Sequence, residues 1–394
     1  MIHDLHMLNE KNNKKTRCIF CSNFKFGSLK DVTRKKTLIC FEEKKTFQDY
    51  SLISKPMILG KEVELDIAIT EIKNIIKHSK SIHLDGMDCD ISSIDKVFDF
   101  AEKKKCSINH KDAENISNLY LTFQKYGGSF VSFNEIRHRS DLLIFIGITE
   151  DEFCNEFFEK LMWNNKKIKD RIFFFGARPK IKRFNHIESR NENFFDDISI
   201  LNLRFSEKNN NRKDKFSDLE DAFFKSKYPV ILTSVEKFNA EKIFAIYDLV
   251  YSVNKSKRLK IFNFFGLNNS SGFINSCVTK TGYPNAISFT DKGSEYDPFQ
   301  IKNSLLKKIT ELQIYVSNFG NFASVNLFKK NIFIGNPNLD NKKKFDVYIP
   351  AKTPGIDKKG IAVRSDGISV IKLKKFIDSS YNSIEEIFNR ISGS

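Results

Sequence analysis

Two doubly wound α/β domains behind a small N-terminal segment are the fold class this sequence predicts. Three observations predict it. Short apolar runs rich in Ile, Phe and Val recur along the chain, helical patterns lie between them, and 394 residues give room for two sheets rather than one. Runs that stay apolar at consecutive positions, instead of alternating, belong to strands buried on both faces, as in parallel sheets covered by helices.

The elements follow in order. "SIHLDG" (81–86) is a short apolar run ending in Gly, and "ISSIDKVFDFAEKKK" (91–105) carries the helical period, with Asp90 as its candidate N-cap. The next strands are "LLIFIGI" (142–148), "RIFFFGAR" (171–178), "YPVILTS" (228–234) and "LKIFNFFG" (259–266). Three more close the chain: "LQIYVSNFG" (312–320), "NIFIGNP" (331–337) and "FDVYIPA" (345–351). "SEKNNNRKDKFS" (206–217) is polar throughout and reads as an exposed loop. His83, Asp85, Asp88 and Asp90 in "IHLDGMDCD" could be drawn as a hard-metal site. A strand start sends alternate residues to opposite faces, however, which favours a strand end and helix start instead.

Composition narrows the function classes. Hydrophobic residues at 40% and charged residues at 29% describe a globular chain rather than a disordered one. No run reaches the roughly eighteen apolar residues of a membrane span, and the first residues, "MIHDLHMLNEKNNKKTR", lack the apolar centre of a secretory signal. Seven unevenly spaced cysteines do not form a disulfide framework, so a cytoplasmic location is expected. The formal charge of +16 invites a polyanion. The lysines are spread from end to end, however, so an acidic ligand or partner is expected ahead of nucleic acid. Trp163, the single tryptophan, has no aromatic companions for base stacking, and no Ser–His–Asp set or nucleophile elbow is present.

Near the start, "RCIFCSNFKFGSLK" (17–30) holds Cys18 and Cys21 in a C-x-x-C pair, and Cys40 follows. Three thiols are one short of the four that an iron–sulfur cluster or structural zinc requires.

Three long blocks keep their order and spacing: "NISNLYLTFQKYGGSFVSFNEIRHRSDLLIFIGI" (115–148), "SSGFINSCVTKTGYPNAISFTDKGSEYDPFQ" (270–300) and "DVYIPAKTPGIDKKGIAVRSDGISVIKL" (346–373). Together they resemble the beta subunit of formylmethanofuran dehydrogenase, of the molybdopterin oxidoreductase family. They are also similar to the related beta subunit of the bacterial formyltransferase/hydrolase complex. The resemblance implies an iron–sulfur subdomain ahead of two Rossmann-like domains that enclose a bis-pterin tungsten or molybdenum centre. On it the chain divides into 1–58, 59–150 completed by 310–394, and 151–309.

The same resemblance shows which chemistry to expect, position by position. The family nest reads C-x2-C-x3-C and then a fourth Cys; Cys18 and Cys21 match, Lys25 stands in the third place, and Cys40 is the fourth. An ammonium has no lone pair to offer iron, so the nest is expected to be a relic without metal, with zinc on Cys18, Cys21, Cys40 and a histidine as the other reading. A metal-ligating Cys and its His lie just before the helix of the "LTFQ"-like block; counting back places Asn115 and Ile116 there, neither fit for the task. After "TGYP" the family's arginines are replaced by Asp291 and Glu295, which reverses the charge offered to a phosphate-bearing pterin. A dinucleotide pocket places an acid at the end of a second strand; that spot holds Gly176, with Arg178 nearby.

The reading that follows is a catalytically silent subunit with no molybdopterin and no iron–sulfur cluster. As the resemblance implies, it sits in a formyltransferase/hydrolase complex of tetrahydromethanopterin- and methanofuran-linked one-carbon metabolism. Its partners would be a formyltransferase subunit, an amidohydrolase-type subunit and a glutamate-synthase-like subunit, and its lysines could help retain a polyglutamyl methanofuran-type coenzyme. Two alternatives stay open: a redox-active tungsten or molybdenum formylmethanofuran dehydrogenase beta subunit, and a basic nucleic-acid-binding protein.

Overall fold

In the computed structural model of the chain, the described residues are 15–17, 26–28, 50, 52–110, 112–149, 168, 171–180, 184–207, 213–234, 238–264, 268–296, 298, 310–320, 328–364 and 366–393. Two compact units form: Met1–Glu114 with Leu267–Ser394, and Asn115–Gly266. Among the described residues, no helix is long and apolar enough to cross a membrane.

The chain begins with β1 (Lys15–Arg17), β2 (Phe26–Ser28), β3 (Met57–Ile58), β4 (Lys61–Glu62), α1 (Leu65–His78), β5 (Ile82–Asp88), α2 (Ile91–Lys104) and β6 (Ser107–Ile108). Its middle runs α3 (Ala113–Tyr126), α4 (Phe133–Arg139), β7 (Leu142–Ile146), β8 (Ile172–Phe175), β9 (Asn185–Ile187), α5 (Phe194–Ser206), α6 (Ser217–Lys225), β10 (Pro229–Ser234), α7 (Ala240–Val253) and β11 (Lys260–Phe264). It closes with α8 (Ser270–Thr281), β12 (Ile287–Thr290), β13 (Gly293–Tyr296), β14 (Leu312–Ser317), β15 (Lys330–Gly335), β16 (Val347–Pro350), β17 (Gly360–Val363), β18 (Val370–Leu373) and α9 (Ile384–Ser392).

The Asn115–Gly266 unit is a five-stranded, wholly parallel sheet in the order β9-β8-β7-β10-β11. Counted along the chain this is 3-2-1-4-5, the order of one Rossmann half, with its reversal point between β7 and β10. The strand runs are apolar throughout because each feeds two cores. Leu142, Ile144 and Ile146 meet Leu119, Ile198, Leu219 and Ile246 on one face, while Leu143 and Phe145 meet Ile136, Phe174 and Phe262 on the other. The predicted doubly wound arrangement is thus present in this unit.

The other unit holds nine strands, β13-β12-β6-β5-β14-β15-β16-β3-β4. Its five middle strands, β6 to β16, are parallel, and antiparallel hairpins close both edges. The parallel part has the chain order 2-1-3-4-5, whose reversal point lies between β5 and β14. Tyr315, Phe333 and Tyr348 are register partners on successive strands, and their rings stack at 6.0 and 5.9 Å in one buried rung. Gly335 ends β15 against β14, and a Cβ there would stand 1.8 Å from the Ser317 carbonyl oxygen. Phe98 of α2 packs on Phe273 of α8, and Phe100 on Phe388 of α9, at 5.8 and 5.2 Å.

The sheets divide the chain differently from the ranges 59–150, 151–309 and 310–394. Strand β7 lies in the centre of the five-stranded sheet, so its unit starts at Asn115, while β12 pairs with β6 and returns residues after Leu267 to the nine-stranded sheet. The segment 1–58 is likewise not separate at its end, since β3 pairs with β16.

Asp90 is the N-cap of α2, as predicted, but its carboxylate caps no backbone N–H. It accepts the hydroxyls of Ser92 and Ser93 at 2.8 and 2.6 Å, and the Lys358 ammonium at 3.3 Å. Lys358 also pairs with Glu385 in the first turn of α9. Burial alone would lower the Lys358 pKa; Asp90 and Glu385 outweigh it and hold the ammonium above its ordinary value.

Two predictions follow from this packing. Lys358→Met leaves Asp90 buried and uncompensated, and should cost about 3–5 kcal/mol in a denaturant titration. His83, buried and bonded through Nδ1 to Ser107 Oγ at 2.8 Å, is held below the ordinary histidine pKa by burial. Its contribution is present above the unfolded value near 6.5 and is lost as pH falls toward the lower folded value. His83→Gln should flatten the stability profile below about pH 6.5, and an unchanged acid limb would refute the assignment.

Candidate functional site

Parallel α/β sheets bind ligands at the carboxyl ends of their strands, at the reversal point. The nine-stranded sheet offers one such point. Strand β5 shifts register there, Val316 pairing with Gly86 and Ser317 with Asp88, which skips Met87. The displaced end is anchored by Asp88, whose carbonyl accepts the N–H groups of Asn318 and Phe319 at 2.7 and 3.1 Å. Its carboxylate accepts Ser317 Oγ at 3.5 Å.

His110, just past β6, sits beside it. The Asp112 backbone N–H donates to His110 Nδ1 at 3.1 Å, so in the neutral ring the proton is on Nε2, which faces Asp88 Oδ1 at 3.8 Å. The ring lies 5.1 Å from that of Phe273, and Ser270 Oγ, in the first turn of α8, donates to Asp112 at 3.3 Å. Asn269 ties the wall together: its amide donates to the Cys89 carbonyl and its Oδ1 accepts the Val363 N–H, both at 2.7 Å. Burial, with Asp90 and Asp88 beside it, pushes the Cys89 thiol well up, so it is no nucleophile. Chemically this is a buried imidazole between two carboxylates, able to hold and reorient a proton. Sequence reading missed His110 and Asp112, because only the pairing of β5 with the two-residue β6 brings them to Asp88.

The four residues considered as a metal site diverge. His83 bonds Ser107, Asp85 accepts from Gln313 and the Gly86 N–H, and Asp90 faces Lys358, while Asp88 alone joins the site. Among the described residues no three His, Cys, Asp or Glu side chains are placed to share a metal ion.

The five-stranded sheet has a second reversal point, and it is filled. Gly147 follows β7 with φ +68°, and a Cβ there would stand 2.2 Å from Cζ of Phe238. Phe238 packs into the core beside Phe194, ring centres 5.5 Å apart. Gly176 lies at the end of β8, the second strand, and donates its N–H to the Ile187 carbonyl at 3.0 Å. With an aromatic ring against Gly147 and no acid at position 176, these residues do not fit a dinucleotide-type group.

Asn115 and Ile116 are not ahead of the helix but inside its first turn, with Ile116 2% exposed. Asn109 and His110 lie between β6 and α3. Asn109 donates its N–H to the Leu84 carbonyl at 2.9 Å and accepts the Ala286 N–H at 3.3 Å. Asp291 and Glu295 lie on the β12–β13 hairpin. Because β12 runs antiparallel to β6, that hairpin turns at the end where the parallel strands start, away from the Asp88–His110 crevice. Asp291 pairs with Lys105, and Glu295 accepts Thr290 Oγ1 at 3.0 Å. Cys18, Cys21, Lys25 and Cys40 lie outside the described residues.

No protein-family model and no curated protein matches this sequence. Solved structures do. A chain of the formyltransferase/hydrolase complex from Methylorubrum extorquens, in complex with methylofuran, is 14% identical with a TM-score of 0.75, over 86% of this chain and 98% of that one. Acetylene hydratase from Pelobacter acetylenicus is 10% identical with a TM-score of 0.56, over 96% of this chain and 69% of that one. At these identities what is shared is the fold, and it is the α/β fold that the sequence predicted.

The filled crevice makes a testable prediction. Gly147→Ala should cost more than the roughly 1–2 kcal/mol of a left-handed alanine, because the methyl meets the Phe238 ring. In a Phe238→Ala background only the backbone penalty should remain, and purely additive costs would show that the ring does not fill the crevice.

Proposed function

We propose that this chain is a structural, non-redox subunit of a formyltransferase/hydrolase assembly in methanofuran-linked one-carbon metabolism. The observation that carries the proposal is the fold correspondence with 98% of a chain from such a complex. In that role it would bind the formyltransferase, amidohydrolase-type and glutamate-synthase-like subunits and hold their geometry. Its excess positive charge would help keep a polyglutamyl methanofuran-type coenzyme nearby.

The absence of a redox role is supported by residue identity. Where the resemblance puts a Cys–His pair, counting places Asn115 and Ile116, and neither can serve as a soft-donor metal ligand. An amide stands in place of the thiolate, a weak ligand for a metal that favours soft donors, and Ile116 can relay no proton. Phe238 against Gly147 supports the same reading in the other unit. The presence of buried His110 is the one observation that favours the alternative, a tungsten or molybdenum dehydrogenase subunit, because that histidine could still relay a proton.

Anaerobic isolation of the chain with its partners, followed by metal analysis and a formate-release assay, tests the proposal. The expected outcome is formate release from a formyl donor without an electron acceptor, and neither tungsten nor molybdenum on this chain. Tungsten or molybdenum together with about four irons per chain would make it a redox subunit instead. A chain that purifies alone would remove the subunit role altogether.

A further inference from the structure

Parallel strands start on one edge, and in the Asn115–Gly266 unit that edge is strongly basic. Register fixes the geometry: Leu142 pairs with Pro229, Val230 with Lys260, and Leu143 with Ile172, so the residues just before each strand share one rim. Helix α4 delivers Arg137, His138 and Arg139 to it in its last turn. Arg171 precedes β8, and Lys225 and Lys227 precede β10. Lys255, Lys257, Arg258 and Lys260 lead into β11. These cations come from four separate stretches of chain, so they are not visible as one charge run in the sequence.

Part of the charge has local work. Lys257 donates to the carbonyls of Phe223 and Phe224 at 2.8 Å, satisfying the end of α6, and Arg258 lies over the Tyr228 ring at 5.3 Å. Cations near helix carboxyl ends are also favoured in general. The rest exceeds that need. Arg139, Lys225, Lys227 and Lys255 are exposed; Arg139 acts on Glu135, whose carboxyl it helps to hold below its ordinary pKa, and among the described residues Lys225, Lys227 and Lys255 form no ion pair. Among the described residues, Asp141 accepts the N–H groups of Lys227 and Tyr228 at 2.8 and 2.9 Å, and Glu135 closes the capping box of α4.

We infer that this amino-terminal edge docks a carboxylate-rich surface of a partner protein. The inference rests on the reading of the chain as a subunit of an assembly, and it names the face and the chemistry of the contact. Arginine with exposed aromatic rings suits a protein interface, and Tyr251 and Phe130, 47% and 42% exposed, flank the edge near β11. Single-stranded nucleic acid fits less well, since it needs open ring faces for its bases. Here Lys255 lies over Tyr251 at 4.8 Å, Lys257 over Phe223 at 4.8 Å and Phe224 at 5.0 Å, and Arg258 over Tyr228.

The experiment uses the assembly isolated with the full chain, treated with a zero-length carbodiimide that joins lysine amines to carboxylates. Cross-links from Lys225, Lys227, Lys255 or Lys260 to Asp or Glu of another chain are expected. Arg139→Glu with Lys227→Glu should weaken assembly roughly tenfold or more and lower the salt concentration at which it dissociates. The milder Arg139→Gln with Lys227→Gln should fall between the two, and Lys292→Glu, on the β12–β13 turn, should behave as the native chain. Circular dichroism of each variant separates lost docking from lost folding. An assembly that forms but ignores these reversals and salt overturns the docking face while leaving the subunit reading intact. A native chain that is always alone overturns both. Binding of a twenty-nucleotide oligothymidylate, lost on the same reversals while the assembly persists, would assign the edge to nucleic acid and overturn the inference.

Discussion

The close approach of β15 to β14 at Gly335 is the constraint on which the larger unit depends. A side chain there would strike the Ser317 carbonyl, so the strands could not converge and the β14 end would move outward. That end carries Ser317 and Asn318, which hold Asp88 by side chain and by backbone. Asp88 in turn faces His110. One missing methyl group therefore sets the position of a polar cluster spread over three elements. The buried rung of Tyr315, Phe333 and Tyr348 lies two residues back from the same ends and makes the convergence rigid.

The two reversal points have gone separate ways. In the five-stranded sheet the crevice is apolar and occupied by the chain's own Phe238, a stable solution for a core with nothing else to cover it. In the nine-stranded sheet the corresponding place is polar: Asp88 and His110 are withdrawn from water, and Asp112 beside them is partly so. Burying such groups is costly unless each finds partners. Here backbone N–H groups, Ser270 and Ser317 provide them. In the first unit Phe238 fills the space beside Gly147, whereas the second places polar and ionisable groups there.

Much of the fold was legible because burial on both faces leaves a plain trace. The runs at β7, β8, β10 and β11 are apolar at every position, and both halves of that pattern are used by the two cores. The helix at α2 and its cap position were legible as local signals. Domain boundaries were not. The β12–β13 hairpin returns to the far edge of the nine-stranded sheet, and an antiparallel return carries no mark in composition. His110 was hidden because its strand is two residues long, and its neighbours come from Asp88 and Asp112 on either side of a crossover.

The lysine content has a similar lesson. Scattered through the sequence, it reads as a bias of composition with no target. Folding sorts it: Lys358 is drawn into a buried cluster, Lys257 satisfies a helix end, and others pair singly with Asp291, Asp346 or Glu311 at exposed or half-exposed positions. Exposed pairs of that kind contribute little to stability, about 0–1 kcal/mol each, so they give no reason for the charge to accumulate. Where parallel strands begin, topology brings cations of four chain segments together, in excess of the described carboxylates beside them. Like charges held on one rim repel, and that repulsion lowers the stability of the unit by itself. A partner surface of opposite sign would remove the penalty on contact, so the rim that costs the isolated unit would steer and strengthen the proposed docking.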